Sequence, residues 1–259
     1  MIKQWYITGD THGDVTTRIW NMLHSNHIEN PEEAGLIILG DAGINFYLNK
    51  TDKKLKKRIE DMGAYVYCVR GNHEARPQNV EGMLLFYDEN VESNVYYEPE
   101  FPHIRYFIDG LYYKIAGFTA LTIGGAYSVD KEYRLLRNAP WFADELLSAD
   151  EMDVIENLWT GQKVDFVLTH TCPFSWEPID LFLNFIDQST VDKSMEIWLD
   201  KFKDKIQWTY WLFGHYHADR LVRPRVEMFF RDIVSIEDIV SFWEDPQIEG
   251  LERDPNYGK

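Results

Sequence analysis

Cysteine is scarce in this chain: its 259 residues include two, Cys68 and Cys172. Each sits in an apolar stretch or beside a polar motif and not in a paired framework. That excludes a disulfide-stapled scaffold and points to a reducing, cytoplasmic setting. Long apolar runs are missing as well. No stretch approaches the roughly 18 apolar residues of a membrane span, so no membrane partner is expected. The opening MIKQWYITGD reaches a polar motif too early to leave room for the apolar centre of a signal peptide. Positive charge is also in short supply, with 26 Lys and Arg against 43 Asp and Glu and a net charge of -17. Such a surface repels polyanions and disfavours extended nucleic acid as a partner. No solenoid repeat occurs, and no linker rich in Pro, Gly or Ser divides the chain. With 45% hydrophobic residues it can build a sizeable core, so a single domain spanning 1–259 is expected, with a loosely ordered acidic tail after about residue 244.

What is present is a repeated unit, a short β-type run that ends in a polar, glycine-containing turn. Trp5 to Thr8 leads into Gly9-Asp10-Thr11-His12-Gly13. Leu36 to Leu39 ends at Gly40-Asp41-Ala42-Gly43, and Tyr65 to Val69 runs into Arg70-Gly71-Asn72-His73-Glu74. Amphipathic helical spacing separates them, marked by Ile19, Met22 and Leu23, then by Leu55, Ile59 and Met62. This is an α/β pattern. From Val95 to Ile123 the residues turn aromatic and β-branched, and Asp109-Gly110 reads as a hairpin turn between antiparallel strands. Ser148 and Glu151 have the spacing of a capping box that opens a helix through Leu158. Val164 to Leu168 delivers Thr169-His170-Thr171-Cys172-Pro173. A helix from about Thr190 to Phe202 precedes Thr209 to Phe213, which delivers Gly214-His215-Tyr216-His217, and Val226 to Phe230 reads as a further strand.

Each motif begins where an apolar strand ends, the edge at which ligand sites collect in open α/β sheets. Charged groups at strand ends are free to converge on one cleft, whereas a core strand cannot carry them inward without partners. Together the motifs supply Asp10, His12, Asp41, Asn72, His170, His215 and His217, oxygen and nitrogen donors with no thiolate. That set suits hard or borderline divalent ions better than a structural zinc site. Seven donors are too many for one tetrahedral ion and enough for two ions that share a carboxylate. Gly9, Gly40, Gly71 and Gly214 each stand between strand and donor, where a sharp turn lets backbone approach closely.

In this order the five segments resemble the calcineurin-like metallophosphoesterase superfamily, in its compact bacterial and phage form. Its signature runs GD-x-H, GD, GNH with D or E, H, and GH-x-H. The resemblance spans residues 9–217 and implies two facing mixed β-sheets flanked by helices, with the site at one end of the sandwich. It also implies two divalent metal ions, manganese foremost, with iron, zinc, magnesium or nickel as alternatives. By motif position Asp10, His12, Asp41 and His217 hold the first ion, and Asp41, Asn72, His170 and His215 the second, so that Asp41 bridges. His73 corresponds to the family's catalytic histidine, which is not a ligand. The implied activity is hydrolysis of a phosphate ester, on a small molecule or a phosphoprotein, by in-line attack of a hydroxide shared by the ions with His73 as general acid. Bound metal would also supply the local positive charge that an acidic protein needs to hold phosphate. Nucleotide or cyclic-nucleotide phosphodiesterase, nuclease and protein serine/threonine phosphatase activities are the alternatives. A non-catalytic scaffold would be expected to show a broken donor set.

The motifs depart from the protein phosphatase branch at one place. That branch carries an Asp and an Arg three and four residues after the bridging Asp, one to orient the catalytic His and one to hold phosphate. Here those positions are Ile44 and Asn45. Arg76, Lys131 and Arg134 are candidate substitutes for phosphate binding, since they follow motif-like turns, the second of them Gly124-Gly125-Ala126-Tyr127-Ser128. Tyr127, Trp141 and Trp176 are candidates for stacking on a nucleobase, against a core role for each.

Overall fold

The computed structural model describes residues 1–245 and Ile248. Thirteen strands are present among them: β1 (Gln4–Thr8), β2 (Ala34–Leu39), β3 (Tyr65–Val69), β4 (Leu84–Asp88), β5 (Ser93–Tyr97), β6 (Ile104–Tyr106), β7 (Tyr112–Ile115), β8 (Phe118–Ile123), β9 (Lys163–Thr169), β10 (Gln207–Phe213), β11 (Arg220–Arg223), β12 (Val226–Met228) and β13 (Val234–Ser235). The α-helices are α1 (Val15–Ser25), α2 (Lys50–Glu60), α3 (Lys131–Leu136), α4 (Ala149–Trp159), α5 (Ser194–Phe202) and α6 (Ile236–Glu244). One sheet has the order β13-β1-β2-β3-β6-β5-β4 and the other β11-β12-β10-β9-β8-β7. Both are mixed. The centre of the first, β1 to β3 and β6, is parallel, as are β8, β9, β10 and β12 of the second.

The sheets face each other across one apolar layer. Ile37, Leu39 and Tyr67 of the first meet Phe166, Leu168, Tyr210 and Leu212 of the second in a single buried cluster. Alternate residues of the same strands point outward, as the two-residue period of a strand requires. Leu36, Ile38 and Val66 pack with Val15, Ile19 and Met22 of α1 and Ile59 of α2. Val167, Trp211 and Phe213 pack with Met152 and Ile155 of α4 and Leu199 and Phe202 of α5. The result is a helix–sheet–sheet–helix sandwich. Burial on both faces explains why β2 reads as an unbroken apolar run rather than an alternating one. No helix among the described residues is long and apolar enough to cross a membrane.

Register positions the site. Leu39 pairs with Val69 in one sheet, and Thr169 pairs with both Ile123 and Phe213 in the other. Parallel strands thus finish level, and the turns that follow them emerge along one edge of the sandwich.

The structure differs from the sequence pattern in several places. Asp109-Gly110 is not a hairpin turn; it lies where the chain passes from β6 in one sheet to β7 in the other, and the β7–β8 hairpin turns instead at Ala116-Gly117. Both turn residues have positive φ, 51° and 82°. The Asp109 carboxylate braces the crossover, accepting Gly124 N at 2.6 Å and Arg70 Nε at 3.0 Å. The helix expected from about residue 190 begins at Ser194, because the preceding stretch forms short 3-10 turns at Ile179–Leu181 and Gln188–Thr190. The capping box at Ser148 and Glu151 is present. Apart from Asp245 and Ile248, the acidic tail expected after about residue 244 lies outside the described residues.

Candidate metal centre

Four of the expected donors occupy backbone conformations that side-chain-bearing residues avoid. His12, Asp41, His215 and His217 have φ of 45°, 49°, 70° and 54°. Such strain persists where surrounding structure imposes it, commonly at functional sites. The imposed shape follows from close approach of the turns. A Cβ on Gly71 would lie 2.0 Å from Asp41 Oδ1, and one on Gly40 2.0 Å from His170 Nδ1. Only glycine at these two positions lets the β2, β3 and β9 turns come together.

The donors then converge. Metal-binding atoms of Asp10, His12 and His217 lie within 4.8 Å of one another, as do those of Asp10, Asp41 and His170, and those of His12, Asp41 and His73. Nε2 of His217 is 3.1 Å from Asp10 Oδ2 and 2.8 Å from Nε2 of His12. Nε2 of His170 is 2.8 Å from Asn72 Oδ1 and 3.6 Å from Asp41 Oδ1. The His215 ring stands edge-on to that of His170 with centroids 4.9 Å apart. Asp10, Asp41, Asn72 and His170 are buried, while His12 and His217 are exposed.

These contacts are those of a site shaped for cations. The Leu39 carbonyl can only accept, so Nδ1 of His170, 2.8 Å away, carries the proton and a neutral ring offers a lone pair at Nε2. Asn72 donates through Nδ2 to Ser128 Oγ at 2.9 Å, which turns its Oδ1 toward that lone pair. With the ring neutral, two acceptors lie 2.8 Å apart, an arrangement that either a proton on Nε2 or a bound cation would satisfy. Asp10 Oδ2 is buried with the imidazole nitrogens of His217 and His12 at 3.1 and 3.9 Å beside it, an acceptor and two candidate ligands that a bound ion would join. Second contacts fix the remaining oxygens: Asp10 Oδ1 accepts His215 N at 2.9 Å, and Asp41 Oδ1 accepts His73 N at 2.7 Å. Burial pushes the Asp41 carboxyl up, but His170, His73 and His12 around it hold it below the ordinary carboxylate range. Burial, followed by the neighbouring His170, lowers the His215 imidazole to about 3, so it stays neutral, as a ligand must be.

A family model for calcineurin-like phosphoesterases matches residues 5–219. The chain belongs to that family. No curated protein matches it. Membership in the calcineurin-like phosphoesterases makes the chain a metal-dependent phosphoesterase by class, and the Asp and His clusters could hold its metal ions.

In this calcineurin-like phosphoesterase Ile44 is fully buried in the outer core and Asn45 is 1% exposed. A different segment supplies an Asp and an Arg to His73: Asp130, the N-cap of α3, and Arg134 one turn on. Asp130 Oδ1 lies 3.8 Å from His73 Nε2, Arg134 Nη2 contacts the same nitrogen, and Arg134 Nε bonds both Asp130 oxygens at 2.9 Å. Burial lowers the His73 pKa most; Arg134 lowers it further, while Asp41 and Asp130 oppose. Asp130 closes the Tyr127–Ser128 segment, the sequence signal that could have marked it.

The other candidate cations are placed elsewhere. Arg76 is buried and tied to the start of α4, donating to the Asp144 and Leu146 carbonyls at 2.8 and 2.7 Å and to Glu151 at 2.6 Å. These contacts engage its guanidinium in anchoring the helix. Lys131 Nζ lies 4.3 Å from the Trp141 ring centroid. Trp176 is core, edge-on to Trp211 at 5.4 Å, whereas Tyr127 lines the cavity beside the donors. Glu74, next to His73, is structural: its Oε1 accepts Gly71 N at 2.8 Å, and burial, with Asp41 beside it, raises its carboxyl to about 8.

Proposed function

We propose that this chain hydrolyses phosphate esters at a pair of divalent ions, manganese foremost, with His73 as general acid. The observation that carries this reading is the convergence of oxygen and nitrogen donors in the buried Asp10–Asp41–His170 cluster, with Asn72 Oδ1 against the His170 ring, beside the exposed His12–His217 pair. Asp10, His12, Asp41 and His217 would hold one ion and Asp41, Asn72, His170 and His215 the other. Two such ions would supply Lewis acidity and a nucleophilic water at neutral pH. The chain's own groups do the rest. Arg134 can only donate, so His73 Nε2 accepts from it; once that arginine turns to the phosphate, half-buried His73 can carry a proton on Nε2 and pass it to the departing ester oxygen. Asp130 favours the protonated ring, and Arg134 supplies a fork that can exchange His73 for a phosphoryl oxygen when substrate arrives. Lys131, in the same short helix, is a weaker candidate for that contact.

The net charge of -17 favours a small or protein-borne phosphate over a long polyanion. Two buried free cysteines fit a cytoplasmic setting. The inner cluster draws on both sheets, in keeping with a single domain. A binding scaffold is the poorer reading, since every donor position is filled.

The test is hydrolysis of chromogenic phosphate mono- and diesters by protein stripped of metal and then given manganese. Inert apoprotein with activity restored by manganese is expected, and the two ester types rank phosphatase against phosphodiesterase action. Two bound ions with no hydrolysis under any divalent metal would overturn the catalytic reading.

A further inference from the structure

The metal centre opens onto two unlike cavities, both touched by His73. On the His12 side, Phe46, Tyr47, Lys54 and Arg58 line a cavity of about 570 Å³ with basic character. On the His215–His217 side lies a chamber of about 400 Å³ whose far wall comes from the 3-10 segment after β9. Leu181, Phe182, Leu183 and Ile186 of that segment line the chamber together with Tyr127 and Tyr216. Ring planes of Phe182 and Tyr216 are within 17° of parallel, with centroids 6.3 Å apart. The Phe182 ring is steadied by Lys193, whose Nζ lies 4.5 Å from its centroid and which is itself paired with Glu177 at 2.6 Å.

Away from the metal centre, a buried acid, Glu196, interrupts the apolar lining. Glu196 is 3% exposed; its Oε1 accepts Thr171 Oγ1 at 2.7 Å, and its Oε2 has no hydrogen-bond partner. An unpartnered buried carboxyl oxygen is costly unless a ligand supplies the missing contact. Burial raises this carboxyl to about 7, so near neutrality it can meet either a donor or an acceptor.

We propose that the organic part of the substrate is an apolar, aryl-sized group that lies against Phe182 and Tyr216 in this chamber, carrying one polar group that meets Glu196. Aromatic faces presented in parallel favour a flat apolar group, and the exposed Leu181 and Leu183 lose water when such a group covers them. The inference rests on the phosphoesterase reading for the position of the phosphate. It assigns substrate selection to Phe182 in the segment between β9 and α5, together with Tyr216 of the last motif and Glu196 of α5.

The experiment compares binding of phenylphosphonate and methylphosphonate to manganese-loaded protein by titration calorimetry; neither has a leaving group to confuse affinity with reactivity. Phenylphosphonate is expected to bind about tenfold tighter or more, the gain of burying one ring. Phe182→Ala, at a half-buried position that leaves the core intact, should remove most of that preference without changing methylphosphonate affinity. Arg58→Ala, in the other cavity, should leave the preference in place. Equal affinities in the wild type, or a preference that survives Phe182→Ala and disappears in Arg58→Ala, would overturn the proposal. Failure of both phosphonates to bind would overturn the phosphoesterase reading instead. Among phenylphosphonates carrying amino or hydroxymethyl groups at the meta or para position, at least one should exceed the parent and lose that gain in Glu196→Leu. A panel in which none does removes Glu196 from substrate contact.

Discussion

Nε2 of His170 lies 2.8 Å from Oδ1 of Asn72, with the proton of the histidine held on the opposite nitrogen by the Leu39 carbonyl. An oxygen and a nitrogen donor held this close by the backbone can share a cation, and a metal ion there would replace the proton that otherwise joins them. Metal should therefore stabilise the protein. At a manganese concentration a hundred times the dissociation constant, the gain is about 2.7 kcal/mol by mass action. Calorimetric melting with manganese and with chelator checks this; an unchanged midpoint would speak against the site.

His73→Ala should lower turnover by about a hundredfold or more, the usual contribution of a positioned proton donor, while both ions remain bound. Asp130→Asn, acting through His73, should give a smaller loss together with a shifted pH–rate profile. Kinetics and metal analysis on the same samples separate the roles. Loss of metal in His73→Ala would make it a ligand rather than an acid.

Gly71→Ala should be severely disruptive although it adds one methyl group, since the new Cβ would sit 2.0 Å from Asp41 Oδ1 and 2.1 Å from Asp41 N. Relief requires moving the β2 turn that carries Asp41. The expected outcome is reduced metal content together with a lower melting temperature. A variant indistinguishable from wild type would mean the turns are held less tightly than these contacts require.

The Arg76–Glu151 contact gives a pH-dependent prediction. Burial alone would raise the Glu151 carboxyl, but hydrogen bonds from Arg76 and Ser148 hold it down to about 2, below its ordinary 4.5. A folded-state value below the unfolded one means this stabilisation is present above about pH 4.5 and is lost as pH falls toward 2. In metal-free protein, Arg76→Met should be more destabilising at pH 7 than at pH 3. The difference is about 1 kcal/mol at most, because the carboxylate is 42% exposed. Urea unfolding at the two pH values measures it, and an equal penalty at both would contradict the ion pair. The same variant should retain its KM for phosphate esters.

The α/β order and the polar turns at strand ends were legible because they depend on local signals, while the two-sheet sandwich followed from the family resemblance. A short apolar run such as Leu36–Leu39, closed by a glycine, reads as a buried strand, and a polar turn such as Gly40-Asp41 after it emerges at the sheet edge. Interactions across the fold left weaker traces. Asp109-Gly110 has the composition of a hairpin turn, yet Asp109 pairs with Arg70 and Gly124, contacts visible only once two sheets are stacked. Arg76 and Arg134 read alike as isolated arginines; one is drawn to Glu151 and the other to His73 by helices whose placement the sequence does not spell out. β4 escaped notice because four of its five residues, Leu84 to Tyr87, are exposed, which removes the alternation that marks a half-buried strand.

The sharing of Asp41 between two ions is tested most directly by counting metal in purified Asp41→Asn protein by plasma emission spectroscopy. The wild type should carry two ions per chain and the variant one or none. Full retention of two ions in Asp41→Asn would contradict a centre built around this carboxylate.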